Sequence, residues 1–327
     1  MNPKKKKYFS TPGIIAIFFM FVLAVLTMIY HSTITDYLMA IGYEPTSEMS
    51  GIIEELQLSD YGKRVMMASR PEIQTADAFN ENCPGYTDSA TLGCYYAQRI
   101  YVYDVQNAEL AGIKQAVTAH ELLHAVWSRM SENQRQEISD DLRTVYRQNM
   151  AQLKAHMEIY DKDEELDELH SVIGTEISPS RYTTDLKKHY SKFFTNLEKV
   201  HGYYAKYSEK FLAIQKRNDE LNKLIKDNQA KLDSDTETYL AKYDQLNKDI
   251  DAFNEKNARG GFTSERDFYA ERNVLVARRN ALQKDYDALI ALTNQVNDYI
   301  NEYNQNLTRS NQLYDSVNSR VEKPSKL

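Results

Sequence analysis

Apolar positions follow three different rhythms along the chain. From 13 to 30 there are eighteen residues without a charge, nearly all apolar; at about 1.5 Å per residue they give a helix of roughly 27 Å, close to the hydrocarbon thickness of a bilayer. Between 45 and 200 the pattern breaks into short pieces. SEMSGIIEELQL (47–58) has helical spacing, ELQLSDYGKRVMMASRPEI runs on as a mixed segment to a proline at 71, and AQRIYVYDV (97–105) clusters Tyr, Val and Ile as a strand does. A helix of about 23 residues is predicted next, over 108–130, with Leu110, Ile113, Val117, Leu123 and Val126 on its core side. Ser131 and Gln134 form a capping-box pattern opening a further helix to about residue 160, and DKDEELDELHSVIGTEI supplies another before the Ser-Pro-Ser break at 178–180.

From 204 to 320 the apolar positions settle into alternating steps of four and three. Tyr207, Phe211, Ile214, Asn218, Leu221, Ile225, Asn228 and Leu232 lie in one seam, which shifts once after Tyr239 and resumes at Tyr243, Leu246, Ile250 and Phe253. ARGG (258–261) is a turn, Ser264 and Asp267 can cap the returning helix, and Leu275, Leu282, Tyr286, Leu289, Val296, Ile300, Tyr303, Leu307, Tyr314 and Val317 carry the seam back. Two arms of about 50 residues joined in this way pack antiparallel as a coiled-coil hairpin, a rod of roughly 75–80 Å. The polar seam residues Asn218, Asn228, Thr293 and Ser310 are expected to weaken it and to fix its register. The predicted fold class is mainly α in an α+β arrangement: a basic tail (1–12), a transmembrane helix (13–30), a small domain with a short sheet (45–200) and the hairpin (204–320).

Composition adds direction to this plan. Lys4 to Lys7 supply +4 of the −7 net charge, which leaves the rest of the chain at −11 and without a basic stripe. Such a body repels phosphate backbones, so nucleic acid is excluded as a partner. Four lysines before an uncharged run belong on the cytoplasmic side, placing everything after about residue 31 outside. A cleaved signal peptide would show a shorter apolar region and a small-x-small site, neither of which is obvious here. The two cysteines, Cys83 and Cys94, flank a Gly- and Pro-containing loop; in an oxidising compartment they admit one pairing, and their spacing is not that of a zinc knuckle.

The candidate chemistry lies in AVTAHELLHAVW (116–127). Residues four apart on a helix share a face, so His120 and His124 can hold one ion between them. A zinc ion there would lower the pKa of a water toward about 7 and polarise a peptide carbonyl, with Glu121 placed to take the proton. The bland alternative is a structural helix with two exposed histidines. The apolar surroundings, the strand before the helix and the acidic residues after it favour the metal.

Strand, HELLH helix and later Glu-bearing helix together resemble the zincin superfamily of zinc metallopeptidases, and its gluzincin branch in particular, over roughly residues 45–200. The metzincin branch is excluded, because Trp127 and Met130 stand where it needs Gly and His. The resemblance implies a third ligand, Glu, from a second helix, with a small or acidic residue three places on; Glu168 and Ser171 in DELHSVIGTE fit that spacing. His170 and Glu176 compete for the role, although His170 points about 200° away from Glu168 on one helix, and a merely solvated acidic face is the bland reading. It also implies an oxyanion donor, for which Tyr182, His189 and Tyr190 are candidates, and an extended substrate paired to the edge of the strand around 99–105. His31 reads as interfacial, His156 and His201 as surface or packing residues.

The implied function is a membrane-anchored, extracytoplasmic zinc metallopeptidase with Glu121 as general base, His120, His124 and Glu168 as metal ligands, and peptides or proteins as substrates. The alternative is a non-catalytic, membrane-tethered scaffold or adaptor that meets a protein partner through its coiled coil.

Overall fold

The structure is a computed structural model and describes residues 11–84, 91–158 and 164–320. It is mainly helical with one small sheet, and it divides into two units, Met1–Lys210 with Leu313–Leu327, and Phe211–Gln312.

In the first unit, helices α1 (Thr11–Ile29) and α2 (His31–Ala40) precede α3 (Ser47–Glu55) and α4 (Asp60–Ala68). The uncharged run thus falls on α1 up to Ile29, with Tyr30 at the N-cap of α2. No single helix among the described residues is long and apolar enough to cross a membrane; Phe18–Thr27 and His31–Ala40, bent by 68°, pass that test together on length and composition. Thr46 and Ser59 cap α3 and α4 by accepting the amides of Met49 and Gly62, which is why the mixed segment after residue 58 is helical.

The sheet has three strands in the order β1 (Glu72–Gln74), β3 (Arg99–Tyr103), β2 (Gly93–Tyr96), with β1 parallel and β2 antiparallel to β3. Ala97 and Gln98, both at positive φ, make the two-residue turn between β2 and β3, a conformation whose twist matches that of paired strands. Gly93 and Cys94 were expected in the loop; cross-strand pairing of 93–96 with 99–102 places them in a strand instead. Cys83 and Cys94 are joined as a disulfide, fastening α5 (Ala76–Asn82) at its C-cap to β2. The loop between them lies partly outside the described residues.

The HELLH helix, α6 (Ile113–Trp127), starts five residues later than the periodicity predicts. Ala108–Leu110 is a 3₁₀ turn, and Gly112 adopts φ +103°, a left-handed conformation that breaks the run. A side chain there would also meet the Tyr203 carbonyl at 3.2 Å. After it come α7 (Glu132–Gln148), α8 (Met150–Met157), α9 (Glu165–Glu176) and α10 (Thr184–Tyr190). The expected capping box is present, with the Gln134 amide reaching Ser131 Oγ and Gln134 Oε1 accepting the Ser131 amide. The predicted single helix to about 160 is interrupted at Asn149, whose side-chain amide donates to the Val145 carbonyl at 2.8 Å and whose oxygen accepts from Arg181.

The core gathers Met49, Ile52, Leu56, Val65 and Met66 from α3 and α4, Ile100 and Val102 from β3, Leu122, Leu123 and Val126 from α6, and Val172 and Ile173 from α9. Each fully buried aliphatic side chain contributes roughly 1.5–3 kcal/mol, so the helix bearing the two histidines is held by its own apolar positions. α11 (Leu197–Ala258) and α12 (Glu265–Val317) complete the chain. The end of α12 belongs to this unit, where Leu313 and Val317 are buried and the Asn80 amide donates to the Ser319 carbonyl.

In the second unit α11 and α12 run antiparallel. Arg217 pairs with Glu302 at 2.6 Å, Lys242 with Asp285 at 2.8 Å and Arg278 with Asp249 at 2.5 Å, while Leu221, Leu246, Leu282 and Val296 fill the seam. The rings of Phe253, Phe262 and Phe268 pack at centroid distances of 5.2–5.3 Å around the turn. Asn228 and Thr293 satisfy themselves on carbonyls of their own helices, at Leu224 and Leu289. Tyr243, Tyr286, Leu307 and Tyr314, expected in the seam, are exposed, and Leu313 is buried in place of Tyr314. Two interleaved repeats fit this stretch, and the rotation of α12 buries the one ending in Leu313 and Val317.

Candidate metal centre

Three alanines, Ala116, Ala119 and Ala125, are buried along α6 and let other elements approach it closely. α9 is the nearest in consequence. A Cβ at Gly174 would stand 2.4 Å from Leu123 Cδ1 on α6 and 2.7 Å from Tyr190 Cε1 on α10, so any larger residue there would require these side chains to shift. Six residues before Gly174 on the same helix, Glu168 lies over the histidines.

His120 Nε2 and His124 Nε2 lie 3.1 Å apart; Glu168 Oε1 stands 3.5 Å from the first and Oε2 3.4 Å from the second. Four ligands at about 2.0–2.2 Å from a tetrahedral ion are separated by roughly 3.3–3.6 Å. The two imidazoles and the carboxylate therefore have the spacing and the donor chemistry to hold one divalent cation. Among the described residues these three also form the group whose donor atoms all lie within 4.8 Å of one another. The histidine side chains keep 17–18% of their surface exposed, whereas Glu168 is buried, so one side of the group opens outward. The chain matches no known protein family, no curated protein and no solved structure. What it can do has to be read from these side chains.

Asp167 was not foreseen. Its Oδ1 lies 2.8 Å from His124 Nδ1, so that nitrogen donates to the carboxylate, and Nε2 is turned toward Glu168 and His120. Burial works to lower the pKa of His124, but hydrogen bonds to Asp167 and Glu168 and the nearby Glu121 charge outweigh it and hold the imidazole well above the ordinary value. A positive charge is thus favoured at this point, and a metal ion can take the proton's place. Glu121 is buried, and loss of solvent raises its pKa against the opposing pull of the two histidines. β2 lies directly on it: a Cβ at Gly93 would stand 2.5 Å from Val117 Cγ1 and 2.6 Å from Glu121 Oε1. The signals for these roles were in the sequence, an Asp beside the chosen Glu and a Gly beside a Cys, but neither has a spacing that distinguishes it.

The other candidates lie elsewhere. His170 is fully buried on the far side of α9, its ring 5.2 Å from Trp127 and 5.3 Å from Tyr190, with Nε2 2.9 Å from His189 Nε2. Glu176 interacts with Tyr204 at the end of α9. Tyr182 and Tyr190 donate their hydroxyls to the carbonyls of Ile173 and His170. His31 is exposed on α2, His201 packs near Tyr204, and the side chain of His156 lies outside the described residues. The strand expected to offer its edge to substrate, β3, is the central one with both edges paired, because β2 folds back on it as a hairpin. Among the described residues, the outer edge beside Glu121 belongs to β2.

Proposed function

We propose that this chain is a membrane-anchored zinc peptidase of the gluzincin kind, hydrolysing peptide bonds outside the cytoplasm. The observation that carries the reading is the convergence of His120, His124 and Glu168 at tetrahedral spacing, with Glu121 buried beside them. Zinc, when bound by these three, supplies an activated water and a polarised carbonyl. The chain's own residues do the rest. Asp167 fixes the tautomer and rotation of His124. Glu121, its proton affinity raised by burial, accepts a proton from the attacking water and can return it to the leaving amine. An extended substrate can align on the outer edge of β2, where main-chain pairing is nearly blind to sequence, and Gly93 lets that strand lie directly against the base.

Full-length protein in detergent tests this directly. About one zinc per chain is expected by elemental analysis, retained in Glu121→Gln and lost in His120→Ala, and cleavage of an unfolded protein should fall by roughly 10²–10⁴ in Glu121→Gln. Wild-type protein that carries no metal and takes up none would leave the long helices as the functional part, as in a tethered adaptor.

A further inference from the structure

Helix α2 presents two unlike faces. On one, Asp36 is buried and accepts a hydrogen bond from Arg129 Nε at 2.8 Å, with Arg64 Nε at 3.7 Å. Arg70 adds two bonds, to the carbonyls of Met39 at 2.7 Å and Ile41 at 2.9 Å. These contacts fasten α2 to the body of the first unit. Arg129 lies just beyond the end of α6, five residues after His124, so the helix carrying the metal ligands is the one to which α2 is tied.

The other face is apolar and uncovered. Tyr30, Ile34, Tyr37, Leu38 and Ile41 follow one another at helical spacing from the N-cap to the C-cap, and Tyr37, Leu38 and Ile41 are 63%, 62% and 68% exposed. A continuous stripe of this kind, without a charged residue, is not an ordinary water-facing surface. Three features name what covers it. The stripe continues directly from the uncharged run at 13–30. The 68° bend between Phe18–Thr27 and His31–Ala40 lays α2 nearer the plane of a bilayer than its normal if the first helix stands upright in it. Tyrosine mixed with aliphatic residues is the composition favoured where headgroups meet acyl chains.

We propose that the outward stripe of α2, Ile34, Tyr37, Leu38 and Ile41, seats in the interfacial layer of the bilayer and so holds the metal centre at a fixed height beside the membrane surface. The proposal rests on the membrane-anchored reading above and deepens it: polypeptide lying close to the membrane is what such a centre meets, and the juxtamembrane segments of membrane proteins are the substrate class it suits. The covering partner is lipid, not a second copy of the chain.

The test uses the full chain reconstituted into vesicles of phosphatidylcholine and phosphatidylglycerol, carrying Tyr37→Trp or Leu38→Trp, with Tyr243→Trp on α11 as the water-facing reference and the signal of the buried Trp127 subtracted. Lipid spin-labelled near the headgroup should quench the tryptophans at 37 and 38 at least about threefold more than the one at 243. Equal quenching at all three positions, in protein that still floats with the vesicles, overturns the stripe's role and leaves the anchor standing. Failure to float overturns the anchor itself. Shielding of position 37 in detergent that grows with protein concentration shows that a second copy covers the stripe, and overturns the proposal too. Zinc content, measured on the same samples, reports separately on the peptidase reading.

Discussion

Two pairs of histidines meet through their Nε2 atoms in this protein, at 3.1 Å for His120 and His124 and at 2.9 Å for His170 and His189. Their surroundings are opposite. The first pair opens outward and faces the carboxylates of Glu168, Asp167 and Glu121. The second is enclosed by Trp127, Tyr190 and Phe193, and the charges that act on it, those of Lys192 and the neighbouring histidines, are positive. In the first, acidic partners overcome burial and favour a cation; in the second, burial dominates and keeps the rings neutral, with His189 brought down to about 4. The same ring contact can thus hold a cation in one place and is core packing in the other, and the carboxylates make the difference.

Substitutions can separate the two. The largest effect is expected for His124→Ala, which removes one of three ligands and should weaken zinc binding by roughly a thousandfold or more in a competition titration; unchanged affinity would show that the first pair is not a metal site. Next comes acid sensitivity of the second pair. His189 stays neutral in the folded state down to about pH 4, while the unfolded residue takes up a proton near 6.5. Between those values the unfolded state binds more protons, so this contribution to stability is complete above pH 6.5 and is lost as pH falls toward 4, by on the order of 3 kcal/mol. Denaturant midpoints measured in chelator at both ends of that window should drop less in His189→Gln than in wild type, and parallel losses would remove the argument. Asp167→Asn is smaller: it keeps the shape but weakens the hold on His124 Nδ1, so zinc affinity should fall about 10–100-fold. Smallest of all, His189→Gln should leave zinc affinity within about twofold, since its ring packs on the far side of α9; a large loss would couple the two pairs.

Much of this contrast was legible in the sequence, and the rest was hidden for definite reasons. A four-residue spacing in an apolar helix brings His120 and His124 together whatever else the fold does, and the 200° separation on α9 already set His170 apart from Glu168. The capping residues Ser131 and Gln134 and the Cys83–Cys94 pairing were readable because each depends on few neighbours. Asp167 was not, because its role depends on where a helix 43 residues away presents the back of a ring. β2 was lost for a similar reason: its pairing with β3 is a tertiary fact, and Gly93 beside Cys94 has the composition of a loop. The choice of Leu313 over Tyr314 turned on a rotation that a seven-residue repeat leaves open.

One hydrogen atom keeps α9 close to its neighbours. Where Gly174 lies against Leu123 and Tyr190, an added carbon forces those side chains to shift or α9 to move outward, and any movement of the helix carries Glu168, six residues earlier, with it. A methyl group introduced well away from the candidate ligands can therefore change their spacing.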